Sequence, residues 1–194
     1  MKKAIIICIL AAALIISLVA CSNKNNAEQP TELPSGEASD VCTEELIYKL
    51  NDDGQSYKLV SVAKCTCENI VIPETYNGLP VTQIGDGAFN KCQTVKSITL
   101  PTSVTGIWHR AFLNCNNLES INIPSSVKEI GFYVFSGCRS LKTVTIPASV
   151  DYVGGDLFKG CSNLTLNCEA DSKPAEWESN WSSGIEVNWG YTAE

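Results

Sequence analysis

A period of 23 residues governs this chain. Phe89, Phe112, Phe135 and Phe158 fall 23 apart, and so do Cys92, Cys115, Cys138 and Cys161. Pro101, Pro124 and Pro147 keep the same step, as do Ile84, Ile107, Ile130 and Val153. Further columns run through Val95, Leu118, Leu141 and Leu164, through Ile98, Ile121 and Val144, and through Leu100, Ile123 and Ile146. The unit reads L-x-x-I-x-I-P-x-S-V-x-x-I-G-x-x-x-F-x-x-C. Independent columns in register mark a stack of like units, none of which has a core of its own. Stacking buries each column against its own copies, and at least three units are needed.

The chemistry of the unit sets its local shape. In Leu118–Ile123 the end alternates, so Ile121 and Ile123 are expected inward and Asn122 outward. Pro124 cannot donate to a strand ladder and ends the strand. Val127 and Ile130 turn inward again on a second short extended piece, and Gly131 marks a bend. Phe135 and Cys138 sit three apart, as on one turn of a short helix. The Cys column could supply disulfides or metal ligands. Locked in period beside a Phe, it reads better as a column of small apolar core side chains. Adjacent rungs lie about 4.8 Å apart, so distance permits pairing.

The ends of the chain are different. Lys2 and Lys3 precede the apolar run Ala4–Ala20, and Leu18-Val19-Ala20-Cys21 resembles a lipobox. Residues 1–20 therefore read as a signal peptide and Cys21 as a lipidated N-terminus; two or more acyl chains anchor stably where one does not. Residues 21–41 comprise this Cys and a polar, flexible linker. Loss of Lys2 and Lys3 with the signal shifts the formal charge from −7 to −9. An acidic body argues against a nucleic-acid footprint and against electrostatic docking on anionic lipid.

Residues 42–72 read as an N-terminal hairpin cap, 73–167 as the repeats and 168–194 as a Trp-rich C-terminal cap. Glu45–Leu50 and Ser56–Val62 are expected to be two strands around Asn51-Asp52-Asp53-Gly54. The two aspartates lack the spaced oxygen ligands of a calcium loop, so a plain turn is favoured. Between Pro73 and Phe89 lies a five-residue insertion relative to the next repeat, containing Tyr76-Asn77-Gly78. Cys42 could pair with Cys65 or Cys67, since export permits disulfides; a zinc site is disfavoured by the C-x-C spacing.

The stretch IVIPETYNGLPVTQIGDGAFNKC, with three further rungs and the tail CEADSKPAEWESNWSSGIEVNWGY, resembles the BspA-like leucine-rich-repeat surface proteins over roughly residues 44–191. The resemblance implies a right-handed leucine-rich-repeat solenoid of short β-strands and short helical turns, exposed at a cell surface. Some such proteins act as adhesins, and the family offers no catalytic motif. Trp108 departs from the pattern, standing where Gly is expected after Ile107.

Two clusters are candidate partner-binding residues. Lys96, Glu119 and Lys142 share one outward strand column with alternating sign, which suits a ladder of exposed ion pairs better than a recognition face. Trp108 and His109 align with Gly131 and Phe132, and Arg110 with Tyr133. If Trp108, His109, Phe132 and Tyr133 are exposed together they form an aromatic patch, of the composition enriched in binding hot spots. Trp177, Trp181 and Trp189 could form a sugar platform but suit a cover over the last rung better. His109 is the one histidine, and no phosphate loop, nucleophile elbow or metal-ligand pattern occurs.

These readings predict no cofactor, no metal and no catalysis. They predict a monomeric, extracytoplasmic lipoprotein, held to the membrane by its lipid alone. It would bind a host or bacterial surface protein or a glycan over a face of about 20–25 Å at about 4.8 Å per rung. The alternatives are a structural or accessory envelope lipoprotein without external ligand and, third, a solute-binding lipoprotein.

Overall fold

The computed structural model describes residues 41–42 and 46–192. They belong to the second of two units, Met1–Glu37 and Ala38–Glu194. The signal peptide and the lipidated Cys21 lie outside the described residues.

The chain winds between two mainly parallel sheets. The first carries, in order, β1 (Val41–Cys42), β4 (Asn69–Val71), β7 (Ser97–Thr99), β9 (Ser120–Asn122), β11 (Thr143–Ile146), β13 (Thr165–Cys168) and β14 (Val187–Asn188). The second carries β12 (Tyr152–Val153), β10 (Glu129–Ile130), β8 (Gly106–Ile107), β6 (Leu79–Ile84), β3 (Tyr57–Val62) and β2 (Leu46–Leu50). The register follows the sequence period: Ile98 pairs with Ile121, and Ile107 with Ile130. Alternation along each strand puts Ile98, Ile121 and Val144 inside. Pro73, Pro101, Pro124 and Pro147 follow β4, β7, β9 and β11 and end them, as the missing N–H requires.

The third side of each turn corrects the expectation of short helices. It is built of turns, and no helix occurs among the described residues. The Cys amide bonds the Phe carbonyl three residues back, at 2.9 Å for Cys92 and 3.2 Å for Cys115. Like bonds precede it, Asn90 to Gly87 at 2.9 Å and Leu113 to Arg110 at 3.0 Å, but they do not run on into a helix because left-handed residues interrupt them. Gly87, Arg110, Tyr133 and Asp156 form one period-locked column at positive φ, and Lys91, Asn114, Gly137 and Gly160 form another. The Phe amides instead bond the next rung, Phe89 to Ala111 at 2.7 Å and Phe112 to Val134 at 3.0 Å. A backbone ladder therefore runs up this side too, which satisfies groups that burial would otherwise penalise.

Inside, the Phe rings stack face over face. Centroids lie 5.2 Å apart for Phe89–Phe112, 5.4 Å for Phe112–Phe135 and 5.5 Å for Phe135–Phe158. Trp181 stands 23 residues after Phe158 and meets it edge-on at 6.4 Å. Trp177 and Trp181 are buried, with the Trp177 Nε1–H donating to the Val150 carbonyl at 3.2 Å.

The cysteines divide. Cys65 is disulfide-bonded to Cys92, with Cα atoms 5.5 Å apart. That removes the option of a Cys42–Cys65 bond and takes one member out of the repeated column. Cys67 is also disulfide-bonded. Cys115, Cys138, Cys161 and Cys168 are buried thiols. Each of the first three donates Sγ–H to the Phe carbonyl of the preceding rung: Cys115 to Phe89 at 3.0 Å, Cys138 to Phe112 and Cys161 to Phe135 at 3.2 Å.

At the start, β2 and β3 form an antiparallel hairpin. Asp53 is spent on its turn, accepting from the Gln55 and Ser56 amides at 2.8 and 3.1 Å and from Ser56 Oγ at 2.8 Å. Those bonds, the Gln55 amide first, hold its carboxyl below the usual range. The insertion folds as a second hairpin, β5 (Thr75–Tyr76) on β6, through Asn77 and Gly78 at φ 48° and 79°. Positive φ at both central positions is what an Asn-Gly hairpin turn supplies.

Candidate partner-binding surface

The Gly column after Ile84, Ile107 and Ile130 exists because backbones approach closely there. A Cβ on Gly131 would lie 2.6 Å from His109 Nδ1 and 2.8 Å from the His109 amide nitrogen. Trp108 occupies this column and the bend survives: its amide bonds the Ile84 carbonyl at 2.8 Å, as Gly131 bonds Ile107. Room for the indole comes from Gly106, which leaves an outward strand position empty. The Trp108 six-membered ring passes 3.7 Å from where a Gly106 Cβ would be. Its Nε1–H donates to Gln83 Oε1 at 3.1 Å. The ring thus lies on the second sheet and lines a concavity of about 370 Å³ with Gln83, Thr105, Gly106, Lys128 and Glu129.

The structure brings three of the four aromatic candidates into one row. Trp108 and His109 have centroids 6.5 Å apart, and His109 and Phe132 5.3 Å. All are half-buried. The Phe132 amide donates to His109 Nδ1 at 2.9 Å, which holds the imidazole in the row and assigns that nitrogen as an acceptor. Tyr152, absent from the sequence-based set, extends the row at 6.3 Å from Phe132. Partial desolvation, then Glu178, pushes its hydroxyl pKa up. Tyr152 was legible: it shares the outward column Gln83, Gly106, Glu129. Tyr133 is half-buried beside the row and holds the Arg110 guanidinium 5.9 Å over its ring.

The charged column is internally neutralised. Lys96 pairs with Glu68 at 2.8 Å, and Lys142 pairs with Glu119. The Lys142 hydrogen bond holds the Glu119 carboxyl below its ordinary value, and Glu68 raises Lys96. The side chains are 40–71% exposed, so such pairs contribute little. Glu68 escaped the periodic reading because the insertion places it 28, not 23, residues before Lys96.

Among the described residues no cluster of His, Cys, Asp or Glu could hold a metal ion, and no helix is long and apolar enough to cross a membrane. The surface offers rings, hydroxyls and paired charges on a rigid frame.

Strands in two parallel ladders, joined by a Phe–Cys turn every 23 residues, define a leucine-rich-repeat solenoid of about six turns. The BspA type leucine rich repeat region matches residues 60–175 in six copies, and the chain belongs to that family. Solved structures agree. A leucine-rich repeat protein from Bacteroides ovatus is 31% identical with a TM-score of 0.60, over 76% of this chain and 37% of that one. The T. pallidum leucine-rich repeat protein is 27% identical with a TM-score of 0.55, over 66% and 69%. A leucine rich cell surface protein from Faecalibacterium prausnitzii is 26% identical with a TM-score of 0.52, over 66% and 44%. This chain thus spans about two thirds of the T. pallidum protein and less than half of the other two. No curated protein matches.

Proposed function

We propose that the protein is a non-catalytic, cell-surface binding protein that presents its aromatic row to a protein or glycan partner, in adhesion. The observation that carries this is the row itself: Trp108, His109, Phe132 and Tyr152 in successive ring contact on one edge, half-buried and rigidly held. Aromatic side chains supply large contact area at small entropic cost, and with Arg they dominate binding hot spots. Arg110 stands beside this row on Tyr133. The one histidine has its Nδ1 committed to a backbone amide, which supports binding over acid–base catalysis.

Placement at the surface is supported by the export signal, by the lipobox at Cys21 and by the relative named as a cell surface protein. The anchor would hold the body at the membrane through residues 21–41.

The test is binding of residues 42–194 to arrays of extracellular-matrix proteins, bacterial surfaces and glycans, beside a folded Trp108→Ala, Phe132→Ala variant. Saturable binding by the wild type that drops at least tenfold in the variant is expected. Binding that the variant retains would move recognition elsewhere, and silence on every array would favour the structural envelope role instead.

A further inference from the structure

We infer that a break in the first sheet, between β9 and β11, is a subsite for one neutral sugar ring. The inference rests on the binding reading above and narrows it, naming a glycan and a second surface, away from the aromatic row.

The break is visible in the ladder. β7 and β9 pair at three positions and β11 and β13 at four, but β9 and β11 pair at one, Thr143 with Ser120. Beyond that pair a concavity of about 260 Å³ opens. Its floor is Ile121 and Ile123, exposed by 8% and 6%, whereas their equivalents Ile98, Leu100, Val144 and Ile146 are at 0–3%. Both remain buried but are more accessible than their equivalents in the neighbouring rungs.

The walls are short and neutral. Asn122 and Thr143 are exposed and Thr145 half-buried, and all three side chains line the opening. Glu169 closes one side. Its Oε2 accepts from the Ala148 amide at 3.0 Å, which fixes the carboxylate and leaves Oε1 to accept from a ligand. Tyr191 forms the rim with 37% of its surface exposed. Its backbone is held by bonds from the Tyr191 and Gly190 amides to the Cys168 and Ala170 carbonyls, both at 2.9 Å.

That combination matches a pyranose. One face of the ring is a patch of C–H groups that lies flat on an aromatic ring. The edge carries hydroxyls, each donor and acceptor, which need amide, hydroxyl and carboxylate partners. No cation lines the opening, and Glu169 would repel an anionic ligand. The volume falls below the roughly 300–1,000 Å³ of pockets for drug-sized molecules, which suits one ring rather than several. A peptide adding as a strand would need a free edge, and Thr143–Ser120 still bridges this one.

The test is saturation-transfer NMR on the full chain in a detergent without a sugar headgroup. The probes are the methyl glycosides of glucose, galactose, mannose and N-acetylglucosamine, with a Thr/Val hexapeptide as the competing class. We expect saturable transfer to the ring protons of at least one glycoside. Tyr191→Ala and Asn122→Ala should each weaken it at least fivefold. No transfer from any glycoside, equal affinity in both variants, or binding of the peptide alone would overturn the sugar subsite. If the glycosides fail while array binding is still lost in the Trp108→Ala, Phe132→Ala variant, the subsite falls and the aromatic-row reading stands.

Discussion

At Cys115, Cys138 and Cys161 one small atom serves two needs. Each sulfur fills a core column, and each thiol donates to a Phe carbonyl of the rung before. That carbonyl already accepts the Cys amide of its own rung, and the thiol fills its second acceptor position. Replacing Cys138 by Ala should therefore cost about 2 kcal/mol or more, from a lost volume and a lost bond together, as read from urea unfolding. Burial pushes the Cys161 thiol up to about 11 and the Cys168 thiol up to about 12, from an ordinary value of 9.0. The folded state keeps protons that the unfolded state gives up. Stability from these groups is complete below pH 9 and is lost as pH rises toward 11–12, so thermal midpoints should fall over that range. A thiol reagent at pH 8 should reach all four buried cysteines only after unfolding; rapid reaction of the native protein would contradict their placement. The sequence could show that these cysteines were a core column, because they repeat with Phe. It could not show that Cys92 leaves the column for Cys65, since that choice depends on where the segment before the insertion comes back.

Among elements, the Phe–Cys turn departs most from its sequence pattern. A spacing of three fits a helical turn and a series of separate i to i+3 turns equally. What decides is the positive φ at Arg110, Tyr133 and Asp156, residues with no compositional mark of it. The glycine column was easier to read and harder to explain without coordinates. Gly154 lies where a Cβ would meet the Gly131 carbonyl carbon at 2.7 Å, so it keeps two rungs close. Gly131→Ala should destabilise by about 1–3 kcal/mol, as overpacking does, with Gly78→Ala as a control for positive φ without crowding. Trp108 shows the limit of that rule: it keeps the bend by sending its ring outward over Gly106. At the far end, Trp181 continues the Phe stack. Trp181→Ala should cost about 3–5 kcal/mol and loosen the last rung first, which hydrogen exchange at Phe158 and Leu166 would register.

Residues 46–192 form one stack of repeated rungs. Its strand columns and its period were legible because stacking forces like residues into like places. Its candidate surface was legible only in part. Columns put Trp108 and His109 beside Phe132 and aligned Arg110 with Tyr133; the column Gln83, Gly106, Glu129 leads on to Tyr152, which the sequence-based set left out. The opening between β9 and β11 left no trace in the sequence, since it comes from pairing lost between rungs whose residues look ordinary. The Glu68–Lys96 and Glu119–Lys142 pairs neutralise the charged column, and the recognition we propose falls on the rings. The direct test is the dissociation constant of residues 42–194 for the partner that the arrays return, measured by surface plasmon resonance for wild type, Trp108→Ala and Phe132→Ala. We predict at least a tenfold weakening for each, mainly through faster dissociation, with unfolding midpoints unchanged; equal affinities across the three proteins would contradict recognition through the aromatic row.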